Sequence, residues 1–108
     1  MKAKLVVNLD MLNKEQILAM LKAVKPILHR EMGVRQIGLF GSYAKDQQKG
    51  DSDVDIYVEL VENDYQKLVT ILLFLEQKIG VKIDLVYKRK QMRPSFLQTL
   101  ERETIYAW

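Results

Sequence analysis

The sequence predicts an α/β protein, a central sheet covered by helices. Three observations carry this. Segments with a 3.6-residue apolar period alternate with short runs that are solidly apolar or apolar at every second residue. The order is helix, strand, helix, strand, helix, strand, helix, with no internal repeat, low-complexity tract or linker. The 108 residues suffice for one hydrophobic core, so all elements share a single domain spanning 1–108.

Residues 1 to 12 are ambiguous: Leu5-Val6-Val7 reads as a short edge strand or a loose arm. A helix starts at Asn13, an N-cap with Gln16 at the capping-box position. Ile17, Leu18, Leu21, Val24 and Leu28 form its apolar face, Pro26 kinks or breaks it, and Gly33 stops it. Val34 to Phe40 reads as a buried strand in which Gly38 allows another backbone to come close. Gly41-Ser42 makes a sharp turn, Ser42 to Gln47 a short helix and Lys49 to Ser52 a further turn. Val54 to Leu60 is the next strand, with Val54, Ile56 and Val58 on one face and Asp53, Asp55 and Tyr57 on the other. A long helix begins at Asn63 or Asp64 and ends at Gly80. Val81 to Tyr87 is the third strand. A basic connector, Lys88-Arg89-Lys90 with Arg93, leads to a last helix from Pro94-Ser95 to Glu103. Ile105 to Trp108 closes the chain as helix or short strand.

Composition excludes several classes of function. Without cysteine there is no disulfide and no thiolate zinc site. The longest apolar run, Ile71 to Leu75, is too short for a bilayer, and the N-terminal apolar run is too short for a signal segment. These readings point to a cytoplasmic protein without a membrane partner. A net charge of +3 suits a phosphate-bearing ligand or an acidic partner, but direct nucleic-acid binding is not expected from it.

The chemistry concentrates between Ile37 and Leu60. Asp53 and Asp55 stand two apart at the head of a strand, so their carboxylates share a side close to the glycine turn. Paired like charges are costly without a cation between them. Asp84 is the third acid. It stands in a strand whose Ile83 and Leu85 face the core, so it points to the opposite side. If that strand pairs beside the Asp53/Asp55 strand, three carboxylates converge. Oxygen-only ligands suit Mg²⁺ or Mn²⁺ rather than zinc. At the turn, Gly41 lets backbone approach phosphate oxygens and Ser42 adds a hydroxyl.

Gly41-Ser42, ten residues, Asp53-Val54-Asp55 and the later Lys82-Ile83-Asp84-Leu85 resemble the DNA polymerase β-like nucleotidyltransferase superfamily. The short chain and the run GSYAKDQQKGDSDVDIYV are similar to its minimal nucleotidyltransferase (MNT) branch, and the resemblance covers about residues 13 to 108. It implies the polymerase β-like fold, an α/β (α+β) arrangement with a small mixed sheet covered by helices. It implies that Asp53 and Asp55 are metal ligands, that Asp84 is the third catalytic and metal-binding acid, and that Gly41 and Ser42 hold a triphosphate. Lys45 takes the place of an arginine found in many members; it keeps the charge for nucleotide binding but lacks the bidentate fork. The resemblance further implies a Mg²⁺-dependent (or Mn²⁺-dependent) antitoxin that transfers AMP from ATP to a tyrosine hydroxyl of a HEPN ribonuclease toxin and forms a hetero-oligomer with it. Two alternatives stand beside this. One is a non-catalytic antitoxin acting by binding alone. The other is transfer to a small molecule such as an aminoglycoside.

Blander readings accompany each candidate. Asp51, Asp53, Asp55 and Glu62 match four positions of a calcium loop, but the obligatory glycine position holds Ile56. Ser42 also suits a helix N-cap, and Asp84 an edge-strand charge. His29, on or near the apolar face of the first helix, reads as structural. The basic run reads as a solvated connector or a phosphate or RNA contact. Tyr43, Tyr57 and Tyr65 are candidates to stack on a base. Leu97, Leu100, Ile105, Tyr106 and Trp108 read as core, with Trp108 also suited to a partner interface.

Overall fold

The structure, a computed structural model, describes residues 12–108; the strand or arm expected at Leu5 to Val7 lies outside the described residues. Helix α1 (Lys14–Ala23) begins with the expected capping box. Asn13 Oδ1 accepts from the Gln16 N–H at 2.9 Å, and Gln16 Oε1 accepts from the Asn13 N–H at 3.0 Å. Pro26 breaks the helix. It has no N–H to give, and its ring crowds the preceding turn. The chain continues as a wider π-helical segment, Pro26–Glu31, which still delivers Leu28 to the core. Gly33, at φ 69°, turns it into strand β1 (Val34–Phe40).

Helix α2 (Gly41–Ala44) is a single turn, shorter than the Ser42 to Gln47 span expected. Strand β2 (Val54–Leu60) follows, then helix α3 (Tyr65–Ile79). Asp64 caps α3 by accepting from the Gln66 and Lys67 N–H groups, and Gly80 ends it in the left-handed region at φ 85°. Strand β3 (Ile83–Tyr87), helix α4 (Pro94–Glu103) and strand β4 (Ile105–Tyr106) complete the chain, so its end is strand rather than helix.

The sheet order is β3-β2-β1-β4. β1 runs antiparallel to β2 and β4, while β2 and β3 are parallel, so the sheet is mixed as the resemblance implied. A parallel pair needs a crossover, and α3 supplies it. Helices α1 and α3 bury Ile17, Leu21, Ile71, Leu75 and Ile79 against Ile37, Leu39, Val54, Ile56 and Val58 on one sheet face. Helix α4 covers part of the other face, where Tyr57, Met92 and Leu100 pack with Phe40, Val86, Leu97 and Tyr106.

Gly38 has the role its strand position suggested. A Cβ there would overlap Thr104 Cγ2 and stand 2.7 Å from the Ile105 carbonyl oxygen, so only glycine admits the chain end beside β1. Trp108 packs against the larger core, and Lys25 Nζ lies 5.7 Å from its ring centre. Among the described residues, no helix is long and apolar enough to cross a membrane.

Candidate active site

Strand register brings the acids together. In the parallel β2–β3 pair, Asp55 is the direct partner of Asp84. In the antiparallel β1–β2 pair, the same Asp55 faces Phe40, the last residue of β1. Asp53 immediately precedes β2, two residues from Asp55 and thus on its side of the strand. The sheet face carrying these acids is the one α4 covers only in part, since Tyr57 and Val86 beneath α4 are two residues on from Asp55 and Asp84.

Gly41 closes the site from the β1 side. Its φ is 74°, and a Cβ there would overlap the Asp55 carboxylate, so the position demands glycine twice over. Ser42 follows inside α2, not at its cap; Phe40, in extended conformation, occupies the N-cap. Opening N–H groups of a helix lack intrahelical acceptors, and here Gly41, Ser42 and Tyr43 carry them, with Gly41 against the Asp55 carboxylate.

Asp55 registers the crowding electrostatically. Burial raises its pKa to about 6, and the charges of Asp84 and Asp53 and a hydrogen bond shared with Asp84 push the same way.

Residues 21–107 match the nucleotidyltransferase domain family. The chain belongs to this family. The protein adenylyltransferase MntA of Thermococcus cleftensis is 39% identical over 98 residues, which cover 90% of this chain and 98% of that one. A solved structure described as a minimal nucleotidyltransferase superposes with a TM-score of 0.75 at 28% identity, covering 87% of this chain and 95% of the other. A complex of a tri-AMPylated Shewanella oneidensis HEPN toxin with an MNT antitoxin shares the fold, with a TM-score of 0.58 at 20% identity over 84% of this chain and 71% of that one.

The donor set of this nucleotidyltransferase suits a hard divalent cation, because every candidate ligand is a carboxylate oxygen. Among the described residues, no group of three or more His, Cys, Asp or Glu side chains is placed to hold a metal ion, so Asp53, Asp55 and Asp84 do not form a ready three-ligand set. An open site fits Mg²⁺, which is commonly held by one or two carboxylates with substrate phosphates and water completing the shell. The forced pairing of Asp55 with Asp84 is a reason for a cation to bind, since it would relieve their repulsion.

Lys45 caps the C-terminus of α2, its N–H donating to the Gly41 and Ser42 carbonyls. Its Nζ lies 3.5 Å from Glu103 Oε1 at the end of α4. Asp46, next along, adopts a positive φ of 57° and pairs with Lys14 at 2.9 Å. Neither partnership has a local sequence signal. Glu103 is a helix-end charge far along the chain, and only the fold carries it to Lys45 after the Gly41-Ser42 turn.

Other candidates are not brought to the acids. Tyr43 is buried in the main core. Tyr57 is 1% exposed, and its hydroxyl donates to Glu101 Oε2 at 2.9 Å. Burial, then that hydrogen bond, holds its pKa well above the usual phenol range. Tyr65 is 80% exposed but lies with Leu85 and Tyr87, on the sheet face opposite Asp84. None of the three is therefore poised to stack on a base at the carboxylates.

The calcium-loop reading fails because Asp55 stands at the start of the extended strand β2 and Glu62 lies two residues beyond its end, so about 16 Å of strand at ~3.3 Å per residue separates them. His29 is exposed, and its Nδ1 meets the Val34 carbonyl at 3.0 Å, tying the π-helical segment to β1. In the basic run, Lys88 bridges Glu59 and Glu101 at 3.9 and 3.5 Å, and Arg89 covers the Tyr87 ring at 5.1 Å.

Proposed function

We propose that this nucleotidyltransferase is an antitoxin that transfers AMP from ATP to a hydroxyl of a partner HEPN ribonuclease toxin, a tyrosine hydroxyl in the first place, and so silences it. The observation that carries the reading is the register of Asp55 against Asp84 beside Gly41. Identity of 39% with a protein adenylyltransferase over nearly the whole chain supports a protein acceptor. The fold shared with an MNT antitoxin held by an AMPylated HEPN toxin supports the identity of that acceptor and a hetero-oligomer with it.

Asp53, Asp55 and Asp84 would hold Mg²⁺ or Mn²⁺, and Gly41, Ser42 and Lys45 would take the phosphates. The bound ion would neutralise triphosphate charge and favour the ionised acceptor oxygen. In the transfer, the acceptor oxygen bonds to the α-phosphorus, the bond from that phosphorus to the β-phosphate oxygen breaks, and pyrophosphate leaves. The hydroxyl proton passes to the carboxylate cluster, where Asp84 is the exposed member of the aligned pair. We infer a cytoplasmic location, where ATP is at hand as the donor.

The test is incubation of the chain with ATP, Mg²⁺ and the protein encoded beside it, read by intact mass. The partner gains one or more AMP units, and Asp53→Ala with Asp55→Ala abolishes the gain. If that double variant protects cells from the toxin as well as the parent does, neutralisation is by binding and the catalytic reading is wrong.

A further inference from the structure

Helix α4 reaches the carboxylate face through its C-terminal end. Leu97 and Leu100 pack with Tyr57, Phe40 and Val86 on that face, and Thr104, one residue after α4, sits over Gly38 of β1. Gly38 is three residues ahead of Gly41, so the end of α4 is set beside the strand that leads into the phosphate turn. From there Glu103 meets Lys45 at 3.5 Å. The neighbouring acid, Asp46, is engaged by Lys14 at 2.9 Å, which leaves Glu103 as the carboxylate partner of Lys45.

This pairing has a consequence for an anionic substrate. Asp53, Asp55 and Asp84 already give the face a negative field, and Glu103 adds a fourth charge while neutralising the lysine nearest the turn. Both partners are about half exposed, so the pair is weak enough to open without disturbing the core. A phosphate carries more charge than a carboxylate and would compete well for the ammonium group.

We propose that Glu103 is a positioning residue that holds Lys45 as its counter-ion until the triphosphate of the nucleotide takes its place. The inference rests on the reading of Lys45 as a phosphate contact. In this arrangement Glu103 weakens resting nucleotide affinity.

The experiment is calorimetric titration of the full chain with the ATP analogue AMP-PNP in the presence of Mg²⁺, which needs no acceptor protein. Glu103→Gln tightens Kd by about 2- to 5-fold, the range expected for release of an exposed ion pair. Lys45→Ala weakens Kd, and in the Lys45→Ala background Glu103→Gln gives a distinctly smaller gain. The gain also shrinks at 1 M salt, where the Debye length falls to about 3 Å. Tighter binding cannot arise from a variant that folds poorly. If Lys45→Ala weakens Kd but Glu103→Gln leaves it unchanged or weakens it, the counter-ion role is overturned. If Lys45→Ala itself leaves Kd unchanged, the phosphate role of Lys45 is wrong and the counter-ion role of Glu103 falls with it.

Discussion

Gly41 stands directly against the carboxylate of Asp55, with no room for a side chain between them. The last residue before the turn, Phe40, is the register partner of Asp55, so β1 delivers the turn to the acid. Gly41→Ala therefore meets two penalties, a left-handed φ of 74° and overlap with a charged group. The expected cost is about 1–3 kcal/mol in a urea melt, with AMP transfer to the partner protein reduced at least ~100-fold, because a shift of about 1 Å at the reacting groups is enough for that. An alanine variant with parental melting and transfer would show that the close approach is unimportant.

The raised pKa of Asp55 makes stability depend on pH. Its folded value, about 6, lies above the unfolded value near 3.9. A carboxyl group shifted upward supports folding below its unfolded pKa and loses that support as pH climbs through the folded one. In a chelator-containing buffer the melting temperature of the parent should fall between about pH 4 and pH 6 from this group. Asp55→Asn should flatten that fall and melt higher than the parent at pH 7.5, although it removes a carboxylate of the proposed metal site. Adding Mg²⁺ at pH 7.5 should raise the melting point of the parent and raise that of Asp55→Asn much less. An equal metal response in both proteins would count against Asp55 as a ligand.

The same residues explain what could be read before the fold was known. Period-two alternation around Asp55 and Asp84 puts their faces beyond doubt, because a strand has only two sides. Capping residues Asn13, Asp64 and Gly80 act within a turn of their own helices, so their roles were local and readable. The breakdown after Pro26 was expected, but its resolution into a π-helical segment depends on keeping Leu28 in a core assembled from distant strands. Tyr57 seemed available to a base because alternation placed it beside Asp55. What sequence does not show is that α4 folds back over that face and takes the tyrosine for Glu101. The Lys45–Glu103 pair was unreadable for the same reason: side-chain pairs far apart in sequence leave no period, cap or spacing to detect.

Gly38 fixes the chain end. A methyl group at this position would overlap Thr104 and crowd the Ile105 carbonyl, where β4 pairs with β1. Gly38→Ala should cost about 1–3 kcal/mol, the usual range for overpacking a tight site. Hydrogen exchange should localise the damage. The Ala107 N–H, bonded to the Ile37 carbonyl at 2.8 Å, should lose protection, while amides pairing β2 with β3 keep theirs. Uniform loss across the sheet would mean that the strain is not confined to β4.

Tyr57 and Glu101 test how the half-covered face is held. The Tyr57 hydroxyl is buried and donates to Glu101 Oε2 at 2.9 Å, and the same oxygen lies 3.5 Å from Lys88 Nζ. Tyr57→Phe removes the donor but leaves Glu101 its lysine and its access to water, and the ring volume is unchanged. A hydrogen bond to a charged group contributes roughly 1.5–3 kcal/mol, and retention of Lys88 should keep the loss near the lower end. Glu101→Ala acts differently. It strips the acceptor from a hydroxyl in an apolar cluster with Met92, Leu100 and Tyr106, so the cost of an unsatisfied buried group is added to the lost bond. It also releases Lys88 from α4. The expected order is therefore a larger destabilisation for Glu101→Ala than for Tyr57→Phe, with a double variant less destabilised than the sum of the two. The upward pKa shift of Tyr57 gives a second readout. Stability of the parent should decline above about pH 10, where the unfolded phenol ionises and the folded one does not, and Tyr57→Phe should decline less. Equal costs for the two single variants, together with strict additivity, would mean that the pair does not hold α4 to β2 and that apolar packing alone covers this half of the face.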